Sequence, residues 1–132
     1  MADVMKLKVI TPEEQFYEGD VSMVELTTTE GDIGVYPEHI PLTAVVAPGI
    51  LKIHEGSEVK EAALMSGFIT ILPDVVTILA EIVEWPDEID FDRAEQAKAR
   101  AEKRLAEQRS DIDVPRAEMA LKRALIRLEM KH

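Results

Sequence analysis

Residues 89–94 read Ile89, Asp90, Phe91, Asp92, Arg93, Ala94, which sets two carboxylates and one guanidinium within a single helical turn. Two kinds of chemistry suit that pattern. In the first, Asp90 is the N-cap of a helix and Asp92 lies in its first turn, where the helix dipole favours a negative charge. In the second, the segment is part of an anion site. At about 100° per residue, Arg93 and Arg100 fall on one edge of a helix. Arg116, Arg123 and Arg127 fall likewise on one edge of a later helical stretch. If those edges face each other, several guanidinium groups converge near Asp90, which is unfavourable unless an anion is held there. The guanidinium fork matches phosphate oxygens, and Asp90 or Glu84 can accept a hydrogen bond from a ribose hydroxyl or an adenine amine. There is no Gly-rich phosphate loop of the Walker kind, so a nucleotide site here belongs to another type. The residues alone leave the helix cap and the anion site both open.

The elements that must position these residues change character near Pro86. All six glycines and six of the seven prolines lie at or before that residue, and Ala, Glu, Lys and Arg dominate the remainder of the chain. Before it, seven short runs rich in Val, Ile, Leu and Thr (KLKVI, VSMVELTTT, LTAVV, ILKIH, VKEAALMS, FITIL, VVTILAEIV) alternate with turn signals at EGD, EGDIG, APG, HEGSE and LPD. Regular spacing of short strands predicts an antiparallel β-sandwich or flattened barrel over residues 1–86. HEGSE reads as a hairpin connection in which Gly56 takes a positive φ. After Pro86, Ala94, Ala97, Ala101 and Leu105 recur at helical spacing with no Gly or Pro before Arg109. Ser110, Asp111 and Asp113 are cap-type residues and Pro115 suits a first turn, so a second helix comes next, striped by Ala117, Ala120, Leu121, Ala124, Leu125 and Leu128. The class is therefore α+β, with an antiparallel two-helix hairpin over residues 87–132 after the sandwich. So many alanines bury little area, which makes the hairpin weakly held unless it packs on something else.

Charge narrows the function. The net charge is −11, and residues 1–86 carry 4 Lys+Arg against 15 Asp+Glu, while residues 87–132 are balanced at 11 against 11. A strongly acidic body argues against nucleic acid, and the local basic excess from Arg116 to His132 points to an acidic protein surface, a phosphorylated small molecule, or simply a solvated face. The absence of cysteine excludes disulfides and thiol chemistry and fits a reducing compartment. No run approaches the roughly 18 apolar residues of a membrane span, so the chain is expected to be soluble, without direct membrane insertion. His39, His54 and His132 lack metal-ligand spacing, no local motif supplies a catalytic nucleophile with its base, and neither a metal nor a catalytic residue is assigned. Met1, Met5, Met23, Met65, Met119 and Met130 read as core or interface filler, and Trp85 as packed at the boundary of the two parts.

The segments TPEEQFYEGDVSMVELTTTEGDIGVYPEHIPL and SGFITILPDVVTILAE, followed by the IDFDRA helix pair, closely resemble the epsilon subunit of bacterial F-type ATP synthase, in order and over essentially the whole chain. The resemblance implies a non-catalytic rotor subunit seated on the gamma subunit and the c-ring, peripheral to the cytoplasmic face of the cell membrane. It implies further that the hairpin either folds or extends toward the alpha and beta catalytic subunits, where it inhibits ATP hydrolysis. Bacillus-type members bind ATP on the folded hairpin, through Ile or Leu, Asp, two variable residues, Arg, Ala. Ile89, Asp90, Arg93 and Ala94 match that motif, and Glu84, Arg100, Arg123 and Arg127 match the positions family members add. ATP, with or without Mg2+, is then a regulatory ligand. Trp85-Pro86 departs from the family's lead-in and stiffens the hinge. By the same resemblance Asp32, Tyr36 and His39, in a polar Pro-bounded loop, belong to the rotor interface, with Asp32 as the c-ring contact. The second reading is a free-standing cytoplasmic ATP-sensing module.

Overall fold

A computed structural model describes residues 3–107 and 111–131. Met1, Arg109, Ser110 and His132 lie outside the described residues. The chain forms two compact units, residues 1–85 and residues 86–132.

The first unit holds eight strands: β1 Met5–Ile10, β2 Gln15–Val21, β3 Met23–Thr28, β4 Gly31–Val35, β5 Leu42–Val46, β6 Gly49–Glu55, β7 Glu58–Ile71 and β8 Val75–Glu84. One side of each strand faces the core because apolar residues recur at every second position. In β1, Met5, Leu7 and Val9 are buried while Lys6 faces water. Val24 and Leu26 of β3, Leu51 and Ile53 of β6, Ile69 and Ile71 of β7, and Val76 and Ile78 of β8 complete the same layer. Each such side chain contributes about 1.5–3 kcal/mol of burial. Thr28 is the buried polar residue among them. Its hydroxyl donates to Gly31 O at 2.8 Å and accepts from the Glu30 N–H at 3.1 Å, so its burial leaves nothing unsatisfied.

The strand order is β2-β1-β8-β7-β5-β3-β4, with β6 bridging β3 and β7. Pairing is antiparallel except between β1 and β8, which run parallel, so the sheet is mixed where the turn pattern predicts purely antiparallel pairing. The first half of β7 pairs with β6 and the second half with β5, and β3 pairs with both, which curls the sheet into a flattened barrel. VKEAALMS and FITIL are thus one long strand, bent where its register with β8 shifts around Ser66 and Gly67. Gly67 sits at φ +146°, and a Cβ there would lie 2.0 Å from Leu79 O, so only glycine fits. Gly56 takes φ +58° in the β6–β7 hairpin, as predicted.

Three further expectations are corrected. EGD is not a turn: Glu18–Asp20 lies inside β2, paired with β1 through Lys8 opposite Glu18 and Lys6 opposite Asp20, so cross-strand charge pairing overrides the turn composition. VSMVELTTT is not one strand, because Ser22 separates β2 from β3 and its N–H bonds His54 O. EGDIG is not a loop, because Gly31–Val35 is strand β4, paired with β3 and anchored by the fully buried Val35.

The second unit opens with a 3₁₀ turn, Pro86–Glu88, and holds α1 Phe91–Glu107 and α2 Val114–Glu129. Asp90 caps α1: its Oδ1 accepts the Arg93 N–H at 3.0 Å and its carbonyl accepts the Ala94 N–H. Asp113 does the same for α2 through the Arg116 N–H at 3.1 Å, with Pro115 in the first turn. Ala94 and Ala101 of α1 and Ala117 and Ala124 of α2 are the buried helical residues, which is the small-residue seam the spacing predicts. Leu125 departs from the predicted stripe and stays exposed. Met5, Met65 and Met130 are buried, whereas Met119 is exposed and is no core filler.

Candidate functional site

The hairpin's register decides which arginines meet. One cleft of about 170 Å³ is lined by Ala97, Arg100, Ala101 and Arg104 from α1 and by Ala117 and Ala120 from α2. Ala101 therefore lies across from Ala117, and antiparallel packing then sets Ala94 across from Ala124. Asp90 and Arg93 accordingly share the open end of the hairpin with Arg127, while Arg123 lines the turn-end cavity together with Arg104 and Arg116. Arg116 does not join them. It stands beside Asp113 at the turn end, about 16 Å along the axis from Arg127, which corrects the expectation that all three α2 arginines converge near Asp90. Arg100 lies about 10 Å further up α1 than Arg93 and lines the middle of the seam.

Among the described residues no ion pair involves Arg93, Arg100 or Arg123, and Arg127 is partnered. Arg93 and Arg100 are exposed while Arg123 and Arg127 are half-buried. Guanidinium groups held along an alanine seam without carboxylate partners are suited to an anion, since the short alanines leave room for it between the helices. Ile89 is buried and Ala94 is packed, so these two motif residues set the backbone and leave the polar contacts to Asp90 and the arginines. Of the two chemistries open for Asp90, the structure shows the cap, which takes one carboxylate oxygen. Glu84 ends β8 in the first unit and is already partnered. Among the described residues no cluster of His, Asp or Glu is arranged to hold a metal ion.

In the first unit, Asp32 is exposed on β4 and its Oδ1 accepts the Thr27 hydroxyl at 2.7 Å across the β3–β4 pair. Tyr36 is exposed, and His39 Nδ1 lies 2.7 Å from Ile40 O. Between them Glu38 adopts φ +64° while its N–H donates to Pro73 O at 2.8 Å, tying this loop to the β7–β8 turn. Trp85 stacks on Phe16 with ring centroids 4.4 Å apart and meets Tyr17 edge-on, so it is fixed to the sandwich. The pattern reading missed a row of exposed apolar side chains: Val45, Phe68 and Leu79 stand side by side on β5, β7 and β8. The signal was present in FITIL and VVTILAEIV, where apolar residues also occupy outward positions.

A family model described as ATP synthase, Delta/Epsilon chain, beta-sandwich domain matches residues 4–86, and one described as ATP synthase, Delta/Epsilon chain, long alpha-helix domain matches residues 87–131. The chain belongs to the ATP synthase delta/epsilon family. Within it, an ATP synthase epsilon chain of Halalkalibacterium halodurans is 46% identical over 96% of this chain and 96% of its own. One of Caldanaerobacter subterraneus subsp. tengcongensis is 47% identical over 98% and 95%. Among solved structures, a chain of the Euglena gracilis mitochondrial ATP synthase, OSCP/F1/c-ring, superposes with a TM-score of 0.78 at 24% identity, covering 92% of this chain and 78% of that one. That likeness concerns the fold. The epsilon relatives match the sandwich and the hairpin together, so the acid-and-arginine segment sits in the helical domain of an ATP synthase delta/epsilon chain.

Proposed function

We propose that this chain is a non-catalytic central-stalk subunit of an F-type ATP synthase, whose folded hairpin binds ATP and whose extended hairpin restrains ATP hydrolysis. The observation that carries the nucleotide part is the set of arginines, Arg93, Arg100 and Arg123, lying along an alanine seam without ion-pair partners among the described residues. In this reading the arginines, with Arg127, contact the phosphates, and Asp90 contacts ribose or base. Mg2+ can accompany the nucleotide through its own phosphates. A ligand shifts a two-state element only by its differential affinity, and ATP at about 100 times its dissociation constant adds about 2.7 kcal/mol to the folded form if the extended form binds none. That is enough to govern a hairpin held by alanines.

The stalk part of the proposal is supported by the full-length epsilon relatives and by surface available on the first unit. Val45, Phe68 and Leu79 offer an apolar contact for the gamma subunit, while Asp32, Tyr36 and His39 offer a polar one for the c-ring. No helix among the described residues is long and apolar enough to cross a membrane, in keeping with a peripheral position reached through partners. Native pull-down of the tagged chain should recover gamma and c subunits, and calorimetry of the isolated chain should detect ATP. Recovery of neither subunit removes the stalk reading, whereas ATP binding without them leaves a free-standing sensor. Asp32→Lys should weaken assembly or coupling while leaving the circular dichroism unchanged, and wild-type proton pumping in that enzyme would remove Asp32 from the interface.

A further inference from the structure

The exposed Asp32 carboxylate does not stand free on β4. Thr27 lies directly opposite it on β3, and the Thr27 hydroxyl donates to Asp32 Oδ1 at 2.7 Å. The next residue pins the backbone of the same hairpin. Thr28 Oγ1 donates to Gly31 O and accepts the Glu30 N–H, so the chain enters β4 along one path and delivers Asp32 to a fixed point on the strand. Two consecutive threonines thus fix Asp32, one its backbone and the other its side chain.

Thr27 is held in turn by a missing side chain. Gly49, the first residue of β6, is buried, and it is not one of the glycines with positive φ, so its backbone conformation does not demand glycine. Space does. A Cβ on Gly49 would lie 2.7 Å from Thr27 Cβ and closer still to Thr27 Oγ1. The side of Thr27 turned toward β6 is therefore filled by the Gly49 backbone, and a β-branched side chain confined in this way has few staggered positions left. Thr27 O accepts the Ala47 N–H at 3.0 Å, which ties the start of the same turn to β3 and keeps Gly49 against Thr27.

A hydrogen bond at the surface adds little to stability, because water replaces it at small cost. Orientation is a separate matter. Among the described residues Asp32 is in no ion pair, so with Oδ1 held by Thr27 its Oδ2 is left to meet a donor from outside the chain. We infer that Thr27 is the positioning residue for Asp32: with its hydroxyl seated by Gly49, it holds the carboxylate in one orientation, with Oδ2 presented to a hydrogen-bond donor of the c-ring. The inference rests on the reading that places Asp32 at the rotor interface, and it adds Thr27 and Gly49 as the residues that give the contact its geometry. A carboxylate oriented beforehand loses less rotamer freedom when the partner arrives.

The test has two readouts. In the full isotope-labelled chain, the three-bond couplings that report χ1 of Asp32 should show one rotamer in the parent and in Thr27→Ser. They should average over several rotamers in Thr27→Val, which keeps the shape of the side chain but removes the hydroxyl, and in Gly49→Ala, which pushes Thr27 off its seat. These two variants reach the hydroxyl by different routes, so misfolding of one leaves the other to decide. In the assembled enzyme, ATP-driven proton pumping per ATP hydrolysed should fall in Thr27→Val toward the level of Asp32→Ala, recover in Thr27→Ser, and fall no further when Thr27→Val is added to Asp32→Ala. A single Asp32 rotamer surviving in Thr27→Val and Gly49→Ala overturns the positioning role. A further loss of pumping in the double variant overturns it as well, because Thr27 would then act by another route. Parent-like pumping in Asp32→Ala instead overturns the rotor reading, and the couplings still decide whether Thr27 orients Asp32.

Discussion

Single residues here are asked to satisfy backbone rules and surface chemistry at once, and Asp90 is the clearest instance. Its carboxylate accepts the Arg93 N–H at 3.0 Å, so removing it by Asp90→Ala should cost the hairpin about 1 kcal/mol. Asp90→Asn retains the cap, because Asn and Asp serve almost equally well at that position. If the carboxylate also contacts the nucleotide, Asp90→Asn will bind ATP more weakly than the parent despite an unchanged helix content; equal affinity by calorimetry would leave Asp90 as a cap alone. Glu38 shows the opposite balance. A non-glycine residue at φ +64° carries about 1–2 kcal/mol of strain, and glycine there recovers part of it while losing more entropy on folding. Glu38→Gly should therefore raise stability by about 0.5–1 kcal/mol in thermal unfolding, with its N–H bond to Pro73 O intact. A lowered midpoint would mean the Glu38 side chain contributes something that offsets its backbone.

At the scale of elements, β2 is held to β6 by a contact that sets a pH range for the sandwich. The Tyr17 hydroxyl donates to Glu55 Oε2, and Lys60 Nζ lies 3.2 Å from Glu55 Oε1 and above the Tyr17 ring. The hydrogen bond from Tyr17, then Lys60, holds the Glu55 carboxyl below its usual value of 4.5, while burial, then Glu55, pushes the Tyr17 phenol above its usual 10.0. A depressed acid stabilises the fold above its unfolded pKa and loses that stabilisation as pH falls, whereas a raised phenol stabilises below its unfolded pKa and loses it as pH rises. The unfolding midpoint should thus hold a plateau between these limits and fall on both sides, with the alkaline limb absent and the acid limb shallower in Tyr17→Phe. Urea unfolding from about pH 3 to about pH 11 measures this, and superimposable curves for the two proteins would show the contact to be neutral. Elements of this kind were only partly legible in the sequence. Alternation exposed β1, β5 and β6, and Asp90 and Asp113 announced both helices. β2 was hidden because Glu18, Gly19 and Asp20 look like a turn until Lys6 and Lys8 lie opposite. β4 was hidden because its one core residue, Val35, sits at the end of a glycine-rich stretch. The motif from Ile89 to Ala94 predicted where the arginines begin, yet only the Ala101–Ala117 register shows that Arg116 belongs to the turn end.

For the molecule as a whole, the division of labour between its two units comes from where the apolar side chains are. The sandwich core, from Met5 to Ala80, is built wholly from the first unit, with Trp85 closing it against Phe16. Apart from Ile89 and Met130, the second unit's buried residues are the seam alanines Ala94, Ala101, Ala117 and Ala124, so the seam itself contributes little burial. Deletion of everything after Asp87 should leave a chain that still unfolds cooperatively and still assembles into the enzyme, but neither binds ATP nor restrains its hydrolysis. Three measurements on that truncation separate these roles. Thermal unfolding reports whether the sandwich folds alone, and its collapse would show that the sandwich needs the helices. Calorimetry reports whether ATP binding resides in the hairpin, and retained binding would move the site into the first unit. The hydrolysis rate of the assembled enzyme reports regulation: if the proposed inhibition acts through charge complementarity between the basic face of α2 and an acidic partner surface, its loss should raise the rate, and an unchanged rate would leave the hairpin with no inhibitory output.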